Sequence, residues 1–244
     1  MAIFIWPAAI LIGGALALFG AGGGMITVPA LLYLLDMPVK EAIAMALWVV
    51  AFVSFGTFLQ QKAWKTLQVK LVLTFGLTGM MGSSAGALFA TLLSETVQTL
   101  LFAFLLLLVT LWLSRIEMTD RVSIFRFIPA SVAGLGIGFL TGILGVGGGF
   151  LLVPALIYLG IGHFPTAVGH SLILITANAV AGGLTYLGTV SFSLVTALAI
   201  SVCALIGSVL GGYFLVRISS ARLKDGFNVL MIGIGISMIV KAMI

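Results

Sequence analysis

Long apolar blocks alternate along this chain with short clusters of charge, glycine or proline. They predict ten helical segments, at 2–19, 25–35, 42–61, 71–93, 96–114, 127–144, 150–159, 167–187, 192–216 and 227–243. Most approach the twenty or so residues that a hydrocarbon core of about 30 Å demands of a helix. The second and seventh do not: roughly ten residues at about 1.5 Å each reach about half that depth. They read as half-helices, each preceded by a glycine tract.

Those two interruptions are copies of each other. Gly20 to Leu34 (GAGGGMITVPALLYL) returns 125 residues later as Gly145 to Leu159 (GVGGGFLLVPALIYL), identical at ten of the fifteen positions. The register then holds without a gap, matching Ala42 to Ala167, Leu47 to Leu172, Leu59 to Leu184, Gly82-Ser83 to Gly207-Ser208 and Gly86 to Gly211. The chain is therefore a duplicated unit, with a first repeat over 1–114, a linker over 115–126 and a second repeat over 127–244. Paired Gly/Pro-interrupted hydrophobic segments in matching halves point to a transporter binding site.

Composition turns the pattern into a membrane protein. At 62% hydrophobic and 7% charged residues, with a mean hydropathy of +1.34, the chain has too little polar surface to coat a soluble globule. The fold class is an all-α polytopic bundle. The first block is not read as a signal peptide, because it lacks a charged leading region and its counterpart, Phe127 to Leu144, lies mid-chain. Cys203 is the single cysteine, which leaves no intramolecular disulfide and no cysteine metal cluster. The net charge of +5 comes from basic residues in short loops, so it reports membrane orientation rather than a nucleic-acid surface.

Charge placement then selects a topology. If each half crossed four times, the halves would be parallel and the basic residues would divide seven against four. If each glycine hairpin returns to its side of entry, each half has three full crossings and the second half is inverted. Lys62, Lys65, Lys70, Arg115, Arg121, Arg126, Arg217, Arg222 and Lys224 then share one side, against Lys40 and Lys241. That distribution fits the positive-inside rule better. The expectation is two inverted repeats, each with a Gly-broken helix, re-entrant or discontinuous, plus three spanning helices. Both termini lie outside and the linker 115–126 is cytoplasmic.

Candidate chemistry gathers at the breaks. Irregular backbone is tolerated at membrane depth only where protein or a water-filled cavity surrounds it. A half-helix starting after Gly24 or Gly149 presents free N–H groups and the positive end of its dipole, an arrangement suited to an anion. Gly22, Gly23 and Gly24 in the first tract, and Gly147, Gly148 and Gly149 in the second, are the candidate contacts. His170, Ser171 and Asn178 on the eighth segment are candidate side-chain donors, His170 being the titratable one. No Asp, Glu, Lys or Arg falls in the interior of a predicted span, Lys241 lying two residues from the end of the last one, which argues against a carboxylate proton relay or a sodium cage. Nothing supplies a nucleophile, paired acids or a metal set, so an enzyme is not expected and neither is a cofactor. The patterns Gly82-x-x-x-Gly86, Gly207-x-x-x-Gly211 and Gly134-x-x-x-Gly138-x-x-x-Gly142 suit close helix packing. Such packing serves contacts between chains as well as within one, so a homo-oligomer stays open.

On the duplicated Gly-x-Gly-Gly-Gly-x5-Pro tracts, Gly20 to Pro29 and Gly145 to Pro154, the chain resembles the TauE/SafE family of bacterial membrane proteins. Gly169-His170-Ser171-Leu172 is similar to that family's Gly-Thr-Ser-Leu segment with His in place of Thr, while Ala44-Met45-Ala46-Leu47 in the first half departs further. The resemblance implies a secondary transporter of sulfite, thiosulfate, sulfoacetate or other organosulfonates in a bacterial inner membrane. An anion channel using the same helix ends is the alternative.

Overall fold

A computed structural model of the protein describes residues 4–19, 22–115, 127–159, 161, 164–215, 226, 229 and 232–239. Among them the chain is helical, without strands: α1 (Ile5–Phe19), α2 (Gly22–Leu34), α3 (Val39–Gln60), α4 (Val69–Leu92), α5 (Glu95–Arg115), α6 (Phe127–Leu144), α7 (Gly149–Tyr158), α8 (Phe164–Leu187) and α9 (Leu194–Leu215). A 3-10 turn at Ala63–Thr66 joins α3 to α4, and a further helical stretch covers 232–239. The expected linker beyond Arg115, and Gly20 and Ala21 of the first tract, lie outside the described residues.

Helix is what apolar sequence must form where water cannot satisfy the backbone, because its bonds close within one segment. Four of the helices, α3, α4, α8 and α9, are long and apolar enough to cross a membrane. α4 and α9 expose more than half of Leu77, Met81, Leu88, Val202, Ile206 and Val209, an apolar outer surface suited to lipid. α3 and α8 are largely buried and form the centre of the bundle.

Packing follows the duplication, with the halves exchanged. α4 lies against α6 of the other repeat, and α9 against α1. Gly82 meets the Leu135 carbonyl and Gly86 that of Phe139, while Gly207 meets the Ile10 carbonyl and Gly211 that of Gly14. Each residue in the second pair of contacts is the 125-residue counterpart of one in the first. Any side chain at these glycines would strike backbone, so the small-residue spacing marks where two helices touch. One hydrogen bond also recurs with different chemistry. Gln61 Nε2 donates to the Ala17 carbonyl at 3.2 Å, and Tyr186 Oη, at the equivalent position, donates to the Gly142 carbonyl at 3.1 Å. Both bonds satisfy a carbonyl near the end of a helix that leads into a glycine tract.

Contact order along the helices gives their directions. Gly76 faces Leu174 and Gly79 faces Asn178, so α4 and α8 run parallel. Gly56 faces Leu205, and Ser208 Oγ bonds Gln60 Oε1 at 3.1 Å, so α3 and α9 run parallel. Ala63, just past α3, faces Gly169 near the start of α8, whereas Trp48 faces Gly183 near its end, so α3 and α8 are antiparallel. The glycine contacts make α1 parallel to α9, and hence to α3, so α2 between them runs back towards the side where α1 began.

Candidate functional site

The second glycine tract is fully described, and its backbone explains its composition. Gly145, Gly147 and Gly148 have φ of 72°, 69° and 68°. That left-handed region is strained for any residue with a Cβ, which is why three glycines stand within four positions. Gly148 caps α7 from this conformation, and its carbonyl accepts from the amides of Leu151 (3.0 Å) and Leu152 (2.9 Å). The amides of Gly149 and Phe150 therefore lie ahead of the first intrahelical bond, at the positive end of the helix. Pro154, inside α7, lacks the N–H that would bond the Phe150 carbonyl, and Pro29 does the same to Met25 in α2.

The two tracts meet. Gly24, in the first turn of α2, packs against the Val146 carbonyl so closely that no side chain fits. A Cβ on Gly147 would lie 2.7 Å from both Val50 Cγ1 on α3 and Ile175 Cγ2 on α8. Val50 and Ile175 are 125 residues apart, equivalent positions of the two repeats. The breaks thus converge where α3 crosses α8, near the middle of both helices.

The side-chain candidates distribute differently. Asn178 sits two residues, about half a turn, beyond Thr176, fully buried, with its side chain against Gly79 of α4: a Cβ there would be 2.5 Å from Oδ1. Neither Nδ2 nor Oδ1 of Asn178 has a hydrogen-bond partner, although its backbone carbonyl accepts from Ser83 Oγ at 2.7 Å. A buried unpaired amide costs about 1–3 kcal/mol. Ser171 is also buried, and its hydroxyl donates back to the Val168 carbonyl at 2.8 Å.

His170 has a different setting. It lies five residues, about 7.5 Å of helix, from Ile175 towards the start of α8. Its Nε2 accepts the Gln68 amide at 2.8 Å, and Nδ1 pairs with the Thr166 carbonyl at 2.8 Å. An acceptor at Nε2 and a donor at Nδ1 require the neutral imidazole. The ring thereby ties the chain entering α4 to the first turns of α8.

Sequence reasoning passed over some of the polar interior. Trp48 Nε1, beside Gly183, and Gln98 Oε1 are buried without partners. From its sequence Trp48 reads as a belt or packing residue, and Gln98 lies near the start of the segment expected over 96–114. Neither has a local signal that separates an interior position from an interfacial one. Among the described residues no group of histidine, cysteine and acidic side chains is placed to hold a metal.

A family model described as Sulfite exporter TauE/SafE matches residues 5–238. The chain belongs to the TauE/SafE family. Among its relatives, a protein of Xylella fastidiosa (strain Temecula1) named Probable membrane transporter protein is 29% identical over 242 residues, covering 94% of this chain and 91% of its own length. YunE of Bacillus subtilis (strain 168), also named a probable membrane transporter protein, is 25% identical over 250 residues, covering 91% of this chain and 92% of itself. No solved structure matches. This TauE/SafE protein is a multi-pass membrane transporter, and its family is one of transporters rather than enzymes.

Proposed function

We propose that this TauE/SafE protein is a secondary transporter of small sulfur oxyanions, sulfite or thiosulfate above all, bound between the two glycine tracts. The observation that supports this most directly is the approach of the two half-helix starts, with Gly24 on the Val146 carbonyl and Gly147 between Val50 and Ile175. Two positive helix ends aimed at one region, without a fixed carboxylate, favour a weakly held anion over a cation. Gly22, Gly23, Gly24, Gly147, Gly148 and Gly149 supply backbone contacts, and Asn178 supplies an amide that has no other partner. Ser171 lies on the same helix face, and His170 positions the start of α4.

The halves 1–114 and 127–244 act as inverted repeats, and alternating access is the rocking of one against the other. Support comes from the exchanged glycine contacts and from the antiparallel course of α3 and α8. Lys62, Lys65 and Lys70 lie at one end of the bundle and Lys40 at the other, a distribution that favours the first end as the cytoplasmic face of a bacterial inner membrane. The termini lie outside and the linker 115–126 inside. Purified protein in liposomes tests the function: sulfite or thiosulfate flux that saturates, and accelerates when the anion is present on both sides, is the expected outcome. Non-saturating flux at channel rates would replace the carrier with a channel, and absence of flux with folded protein would refute the reading.

A further inference from the structure

The two ends of the bundle open into cavities of opposite character. At the lysine-bearing end, between the 3-10 turn Ala63–Thr66 and the start of α8, lies a cavity of about 530 Å³ lined in part by Gln60, Lys62, Lys65, Thr66 and Thr166. No carboxylate among the described residues lines it. Lys62 holds a left-handed φ of 51° just beyond the Gln61 cap of α3, and both it and Lys65 border the one opening. Ser208 bonds the amide of Gln60 from α9, fixing that side chain at the rim. The first turn of α8 reaches the same space through Pro165 and Thr166, bringing the positive end of its dipole. His170 braces this wall from behind, through Thr166 on one side and Gln68 on the other.

The opposite cavity, about 340 Å³, is lined by Tyr33, Asp36, Glu95, Thr96 and Thr99 among others. It has two acids and no lysine. Lys40, in the first turn of α3 at that end, donates from Nζ to the Thr91 carbonyl at 2.9 Å. An anion thus meets donors and positive charge at one mouth, and fixed negative charge at the other.

We propose that the cavity bordered by Lys62 and Lys65 is the capture vestibule for the transported oxyanion, and that these two lysines set the affinity at that mouth. The proposal rests on the anion-transport reading above and adds where the substrate is first held. Clefts lined by one sign of charge concentrate a counter-ion about tenfold or more, an effect that salt screens. The acid-lined mouth, by the same physics, holds the anion poorly and lets it leave.

The test uses the full chain in oriented liposomes, with sulfite and thiosulfate as probes applied to each face at low and high potassium chloride. Replacing both lysines (Lys62→Gln with Lys65→Gln) is expected to raise the half-saturating concentration about tenfold at the lysine mouth in low salt. The other mouth should be unaffected, and the difference should vanish in high salt. The double arginine variant, which keeps the charge, should behave like the parent. An independent variant, Asp36→Asn with Glu95→Gln, should lower the half-saturating concentration at the opposite mouth several-fold. Parent protein that moves sulfite with an affinity indifferent to both charge changes would overturn the vestibule and leave the transporter reading standing. Parent protein that moves neither anion would overturn both.

Discussion

Replacing Asn178 by leucine should make the protein more stable and less active at once. The amide is fully buried, and both of its polar atoms lack partners. Each such atom forfeits about 1 kcal/mol or more, so an apolar side chain of the same branching should recover about 2 kcal/mol. Against this stands the closeness of Gly79, where a Cβ would already be 2.5 Å from Oδ1, so the bulkier methyl of leucine returns about 1 kcal/mol in overpacking. The net gain of about 1 kcal/mol corresponds to a rise of about 2–4 °C in the unfolding midpoint for a chain of this size. Flux should meanwhile fall about tenfold or more if Asn178 contributes one hydrogen bond to a desolvated anion, since a bond to a charged group is worth about 1.5–3 kcal/mol. Thermal unfolding in detergent and sulfite flux in liposomes read the two effects on one preparation. A variant that is less stable would mean that the amide is satisfied in the native protein. A more stable variant with unchanged flux would remove Asn178 from the site.

Other perturbations probe packing and topology. Gly82→Ala and Gly207→Ala, at equivalent places in the two repeats, should each destabilise by about 1–3 kcal/mol because the new methyl strikes a backbone carbonyl. Gly136→Ala, with nothing within 4 Å of the added atom, should be neutral or slightly stabilising in the same unfolding assay. His170→Leu leaves the Gln68 amide without its acceptor and should lower stability by about 1–3 kcal/mol, whereas His170→Gln, which retains an acceptor, should lose less. In a Cys203→Ser background, Thr66→Cys and Ser191→Cys, at equivalent loops of the two repeats, should react with a membrane-impermeant thiol reagent from opposite faces; labelling from the same face would refute the inverted arrangement.

Much of the fold was legible along the chain. Segment 150–159 appears as α7 (Gly149–Tyr158) and segment 25–35 as α2 (Gly22–Leu34), because helix length and glycine breaks are local properties. The positive-φ glycines at 145, 147 and 148 were legible for the same reason, since only glycine adopts that backbone without strain. The GxxxG patterns announced close packing but not its partner. Helices apolar all round have no polar face to say which side turns inward. The sequence therefore could not say that α4 pairs with α6 and α9 with α1, across the repeats.

The amino-acid sequence by itself determined that this is a duplicated helical membrane protein with two broken helices, since apolar length, Gly/Pro placement and repeat register are all read along one dimension. Tertiary structure decided what those breaks face. Only packing brought Gly24 to Val146 and Gly147 between Val50 and Ile175, left the Asn178 amide unpaired against Gly79, and turned His170 to the Gln68 amide. Each of those contacts joins residues far apart in the chain, and whether a polar atom is satisfied depends on the neighbour that folding delivers rather than on the residues beside it.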